Sequence, residues 1–237
     1  MTCPFSRRKG GPYTLLNKAL FLMQNILFDL DGTLIDHFSA IHRGVAYAQQ
    51  KLGLPESDYA TVRATVGGSV PITLGKLCGE EHVEAAIPYF RDHFAEIMYD
   101  DVEIIPGSDW LLKALKTNGH KLGVFTNKYE THAAAILEHL GLAQYLDVIV
   151  GTGHGHGHRK PDPRFTMEAL ERMACASDEA AMVGDSPYDF AAAQAGCLPC
   201  YLLATGSHTA EQLADATGSS TIFNDLRELG ERVFSIT

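Results

Sequence analysis

The chain has 237 residues, enough for one α/β domain with an insertion or for two small domains. Its 46% hydrophobic and 20% charged content is ordinary for a protein with a packed core. A formal net charge of -10 argues against nucleic acid or an anionic membrane as the main partner, because both require basic surface. No run of about 18 apolar residues is present. The five scattered cysteines, Cys3, Cys78, Cys175, Cys197 and Cys200, read as free thiols of a reducing compartment rather than a disulfide framework, so a cytoplasmic protein is expected.

Residues 1–23 carry Arg7, Arg8 and Lys9 and a short apolar patch from Ala19 to Met23, but no small-residue cleavage site. They are expected to be an N-terminal extension that activity does not need. The first strand follows at Ile26-Leu27-Phe28, and the next residue is a carboxylate, Asp29. In open α/β sheets ligands sit outside the carboxyl ends of strands, so Asp29 is placed to face chemistry. Asp31 falls on the same side by the two-residue repeat of extended chain, and Gly32 lets the backbone turn away. Two carboxylates in one small volume repel, which calls for a shared proton or a hard divalent cation with oxygen ligands. The alternative is a simple acidic turn.

From 39 to 103 the pattern is helical. Ile41, Val45, Ala48 and Leu52 make one stripe ended by Gly53, and Val83, Ile87, Phe90, Phe94 and Ile97 make another, with Gly67-Gly68-Ser69 breaking the chain between them. A small helical lobe is expected here, set within a core made of residues 24–38 and 104–237. After Pro106-Gly107 strands and helices alternate: helix 108–118 with Trp110, Leu111, Ala114 and Leu115 inward, strand 122–125, helix 130–140, strand 147–150, helix 163–174, strand 181–183, helix 189–195 and strand 200–203. Two helices, beginning near His208 and Asn224, finish the chain. Such alternation predicts a Rossmann-like, doubly wound parallel sheet wrapped by helices. Neither a Walker pattern nor a G-x-G-x-x-G fingerprint is present, which disfavours nucleotide triphosphate and dinucleotide ligands.

The run D-x-D-G-T-L at 29–34 resembles the first motif of the haloacid dehalogenase superfamily, whose members mostly transfer phosphoryl groups through an aspartyl-phosphate. Val-Phe-Thr-Asn-Lys at 124–128, Arg-Lys-Pro-Asp-Pro at 159–163 and Gly-Asp-Ser-Pro-Tyr-Asp at 184–189 resemble the second, third and fourth, in the same order. With Val-Gly-Gly-Ser in the lobe, the combination looks most like the phosphoglycolate phosphatase group. The resemblance implies Asp29 as nucleophile, Asp31 as general acid/base, and Thr126 and Asn127 as donors to the phosphoryl oxygens. It implies Lys160 as the cation that neutralises nucleophile and phosphate. Asp29, the backbone carbonyl of Asp31 and Asp185 would ligate Mg²⁺, with Asp189 reaching it through water. The lobe would be a C1-type cap that contacts substrate through Gly68 and Ser69.

Alternatives remain at single positions. Thr126 suits a helix N-cap, Asp189 a charge at a helix N-terminus, and Gly67-Gly68-Ser69 an interhelix turn. Gly153-His-Gly-His-Gly-His158 departs from the family pattern, and reads as a mobile loop or as a Zn²⁺ or Ni²⁺ site; its nearness to Lys160 makes it a candidate for the substrate rim. The expected activity is hydrolysis of a small phosphorylated metabolite by a monomer or homodimer. The alternatives are a β-phosphoglucomutase-like sugar phosphomutase and, in another class, a non-catalytic phospho-ligand binding or regulatory protein.

Overall fold

In the computed structural model, which describes residues 24–153, 155 and 157–237, the apolar runs become a six-stranded parallel sheet. The N-terminal extension and two of the alternating histidines, His154 and His156, lie outside the described residues. The strands are β1 (Asn25–Phe28), β4 (Lys121–Tyr129), β5 (Val148–Thr152), β6 (Ala180–Gly184), β7 (Cys200–Leu203) and β8 (Ile222–Phe223), in the order β5-β4-β1-β6-β7-β8. β1 lies at the centre, and its neighbours β4 and β6 run in register with it from Asn25 to Phe28.

Side-chain alternation divides the core into two layers. Ile26, Phe28, Leu122, Val124, Ala181 and Val183 pack on one face against α5 (Ser108–Thr117), α6 (Glu130–His139) and α10 (Leu226–Phe234). Leu27, Phe125, Ala180 and Met182 point the other way, onto α7 (Pro163–Met173) and α8 (Pro187–Ala195). A strand buried on both faces has no polar positions until it ends, so the first carboxylate marks the sheet edge. α9 (Ala210–Thr217) follows β7, started by a Thr209–Gln212 capping box.

The segment between β1 and α5 folds into four helices, α1 (Phe38–Lys51), α2 (Tyr59–Thr65), α3 (Val70–Cys78) and α4 (Val83–Ile97). They enclose their own apolar cluster of Ile41, Val45, Ala48, Val62, Leu74, Phe90 and Phe94. The chain leaves and re-enters the sheet through two short strands, β2 (Ile35–Asp36) and β3 (Glu103–Ile104), which pair antiparallel with each other.

The structure differs from the sequence reading in four details. β4 continues to Tyr129 instead of ending at Phe125, with a register shift against β5 after Phe125, so Thr126, Asn127 and Lys128 ride on the strand itself. In α5 it is Leu112 that is buried with Leu111 and Leu115, whereas Trp110 and Ala114 are only partly covered. α2, set by an Asp58 N-cap that accepts from Thr61 N at 2.8 Å, has too few apolar residues to show a period. β2, β3 and β8 have two residues each, too short for an alternation to register. Among the described residues no helix is long and apolar enough to cross a membrane.

Candidate active site

Asp29 directly follows β1 and Asp185 directly follows the adjacent β6, so the register that pairs Phe28 with Val183 brings the two side chains to one point at the sheet edge. The backbone N–H of Asp29 donates to Val183 O at 2.8 Å, and both carboxylates are buried. Asp189, in the first turn of α8, completes a trio whose carboxylate oxygens lie within 4.8 Å of one another. Glycines close the cradle around Asp185. A Cβ added at Gly206 would fall 1.7 Å from its Oδ2, and one at Gly32 2.6 Å from it. Thr33 Oγ1 donates to Asp185 Oδ1 at 3.3 Å and Ser207 N to Oδ2 at 3.3 Å.

Lys160 is the counter-charge. Its Nζ lies 2.8 Å from Asp29 Oδ1 and 2.6 Å from Asp189 Oδ1, and donates to Phe125 O at 2.8 Å, with the residue only 1% exposed. Burial alone would lower its pKa, but the carboxylates of Asp189 and Asp29 outweigh it and hold the ammonium above its usual range. Asn127 fixes the lysine's backbone: its Oδ1 accepts from Lys160 N at 2.7 Å and its Nδ2 donates to Lys160 O at 3.3 Å. Asp189 is engaged at both oxygens, Oδ1 by Lys160 and Oδ2 by the Ser186 hydroxyl at 2.6 Å and by Ser186 N at 3.0 Å.

Three buried carboxylates facing one buried ammonium leave an excess of negative charge. Burial, then the neighbouring Asp189 and Asp31, push Asp29 up to about 6 against the pull of Lys160. Asp185 is raised well above the carboxylate range by burial and by Asp189 and Asp29. An all-oxygen donor set with surplus charge fits a hard divalent cation. Asp29 and Asp185 would supply ligand atoms more readily than Asp189, whose lone pairs are already in use.

Asp31 sits beside this trio. Lys128 Nζ donates to its two carboxylate oxygens at 2.9 and 2.8 Å, and His37 Nδ1 is 3.7 Å from Oδ1. The Lys128 ammonium also lies 5.0 Å from the centre of the Phe94 ring, on α4. Thr126 is buried, and its Oγ1 accepts from Lys128 N at 3.2 Å. A cavity between the sheet edge and the helical insert is lined by Asp29, Asp31, Thr126 and Asn127 from below and by Gly67, Gly68 and Arg91 from above. A second hollow adjoins it, lined by Ser69, Arg91, Tyr129, Gly157, His158 and Arg159.

The candidates named from the four motifs and from Gly68 and Ser69 therefore lie at or beside one cleft. Asn127 is turned toward the Lys160 backbone and the Gly67 carbonyl, the latter at 3.5 Å. Ser69 borders the second hollow. Lys128, His37, Arg91 and Arg63, whose guanidinium donates to Gly206 O at 3.2 Å, were not singled out by the sequence reading. Lys128 comes to the site because β4 extends past Phe125, which its sequence does not announce.

The family model for haloacid dehalogenase-like hydrolases matches residues 26–200. A phosphoglycolate phosphatase of Rhodospirillum rubrum is 32% identical over 217 residues, 87% of this chain and 89% of that protein. Another from Aquifex aeolicus is 36% identical over 170 residues, covering 72% and 79%. Among solved structures, a predicted phosphatase from Clostridium acetobutylicum superposes with a TM-score of 0.84 at 31% identity, over 91% of this chain and all of that one.

Proposed function

The chain belongs to the haloacid dehalogenase-like hydrolases and is a phosphatase, and from that premise we propose that it hydrolyses a small, phosphoglycolate-like phosphate monoester through an aspartyl-phosphate on Asp29, with Mg²⁺ as cofactor. The observation that carries the reading is the placement of the Asp29 carboxylate at the end of the central strand, 2.8 Å from Lys160 and open to a cavity that also holds Asp31 and Thr126.

In the first step an Asp29 oxygen attacks phosphorus, and the ester oxygen leaves with a proton from Asp31. Lys160 and Thr126 surround the peripheral oxygens, where charge is spread in the transition state. In the second step Asp31, now a carboxylate, takes a proton from water as that water attacks phosphorus, releasing phosphate and restoring Asp29. Lys128 grips both oxygens of Asp31 and so sets the direction from which the proton is given and taken. Mg²⁺ held by Asp29, the Asp31 carbonyl and Asp185 would neutralise the phosphoryl charge. The insert 39–103 acts as the cap that selects the ester, through Gly68, Ser69 and the side chains that face the cavity.

A phosphate-release panel of small esters, run after exhaustive chelation and again with Mg²⁺, tests the reading. Activity is expected to vanish on chelation and return with Mg²⁺. Asp29→Asn is expected to lose at least about 10⁴-fold in kcat while melting normally, because an amide keeps the shape but not the nucleophile. Substantial turnover by Asp29→Asn would overturn the covalent route, and phosphate transfer within a sugar without release would favour a mutase.

A further inference from the structure

Two buried donors face the hollow beside the active site without a partner. Ser69 occupies the N-cap of α3, where a serine hydroxyl ordinarily accepts from the helix's first N–H groups, but it makes no capping bond. Pro71, inside that first turn, has no N–H to offer. Ser69 is only 4% exposed, and its Oγ is buried with no hydrogen-bond partner. Arg91, on α4, stacks its guanidinium 4.4 Å from the centre of the Tyr129 ring, and its Nε is likewise buried and unpartnered.

Among the described residues Arg91 has no carboxylate partner, in contrast to Lys128 and Lys160, which are both committed to aspartates. Buried donors left open cost free energy unless something accepts from them. Here both are donors, one is a full positive charge, and the positive end of the nine-residue α3 points at the same place. The missing acceptor is therefore an anion.

The position decides which anion. Arg91 lines both the cavity that holds Asp29 and the adjoining hollow that holds Ser69. A group bound there is attached to the leaving side of a substrate whose phosphoryl group sits at Asp29. Apart from Thr73, the rest of the insert's wall is apolar, with Ile41, Val45, Leu74, Phe90 and Phe94, and offers too few polar groups for the several hydroxyls of a sugar. His158 and Arg159 also line the hollow, Arg159 from its exposed rim, so the unpartnered buried donors are one guanidinium nitrogen and one hydroxyl, which match a single charge, a carboxylate, better than a second phosphate dianion.

We propose that Arg91 and Ser69, at the N-terminus of α3, form an anion subsite that holds the carboxylate of a short phosphorylated hydroxy acid. The inference rests on the phosphatase reading above and adds the residues that read the leaving group. Arg91 thereby sets specificity, and the planar fork of its guanidinium suits a bidentate carboxylate.

The test uses matched pairs of esters that differ in the carboxylate: phosphoglycolate against 2-hydroxyethyl phosphate, and 3-phosphoglycerate against glycerol 1-phosphate. The full-length protein is expected to favour the acid in at least one pair. In Arg91→Met the acid-to-alcohol ratio of kcat/KM is expected to fall by about 10- to 100-fold, the loss of one charge-assisted hydrogen bond, mainly through KM. Arg91→Lys should recover part of the ratio. Ser69→Ala should lower it in the same direction by about 2- to 10-fold, which keeps the test open if Arg91→Met fails to fold by circular dichroism. Brisk release from both members of each pair at equal kcat/KM would overturn the subsite and leave the phosphatase reading standing. Equal losses for acid and alcohol in the variants would reduce Arg91 and Ser69 to structural residues. Release from no ester at all would overturn the phosphatase reading and the subsite with it.

Discussion

His37 carries a cost that the rest of the site explains. It is fully buried, its ring lies 5.2 Å from that of Phe94, and it stands between Asp31 and the start of α1. Burial, then the Lys128 ammonium, lower its pKa from 6.5 to about 3, against the pull of Asp31. The folded protein thus holds a neutral imidazole where the unfolded chain would take a proton. The imidazole's contribution to stability is at full value above pH 6.5 and falls as pH drops from there toward 3, by up to about 1.4 kcal/mol per pH unit. Asp29 and Asp185, with raised pKa values, act in the opposite sense over the same range in both proteins, so urea unfolding at pH 7.5 and pH 5 should show the wild type losing more stability, or gaining less, than His37→Leu. Identical pH slopes in the two proteins would mean that the imidazole is protonated in the folded state. Asp29 and Asp185 were legible from sequence because each breaks an apolar run. The His37 environment was not, because Phe94 and Lys128 reach it only after a helix and a strand fold over the same point.

At the scale of elements, the site depends on loops pressed against strand ends. The segment after β7 passes so close to Asp185 that position 206 has room for no side chain, and the insert holds that segment through Arg63. Gly206→Ala should displace Asp185 or the loop by an ångström or more. The expected result is about a 100-fold fall in kcat and a higher Mg²⁺ concentration for half activation. Wild-type kcat and Mg²⁺ dependence in this variant would show that the loop yields without moving the carboxylate. A glycine in a polar loop gives no sign in sequence of what it approaches, whereas the alternation of β1, β4 and β6 is local and was read directly. β4 marks the boundary between the two cases. Its apolar half was evident, but its extension through Thr126, Asn127 and Lys128 is fixed by its rejoining β5 at Tyr129, opposite Thr152.

At the scale of the whole molecule, the four-helix insert meets the rest of the chain through Lys128 on Phe94, Arg91 on Tyr129, Asn127 on the Gly67 carbonyl, Arg63 on the 205–206 backbone, Gly67 against Ser186, and, farther along, Tyr99 against His139. The first three border the cavity. Exchanging residues 37–102 for the matching insert of a phosphatase with a different ester preference should retain phosphate release from a generic aryl phosphate and transfer the donor's preference among natural esters. A chimera that folds but keeps the original preference would place selectivity in the sheet's own loops. The feature that makes the exchange feasible is the pairing of β2 with β3. The outgoing and returning chains are adjacent strands of one ladder, about 5 Å apart, so the backbone crosses between core and insert at a single seam. Whatever is spliced at that seam need only begin and end side by side. A lineage could therefore trade one insert for another of different length or architecture in a single recombination event, inheriting the phosphoryl chemistry intact while acquiring a new clientele.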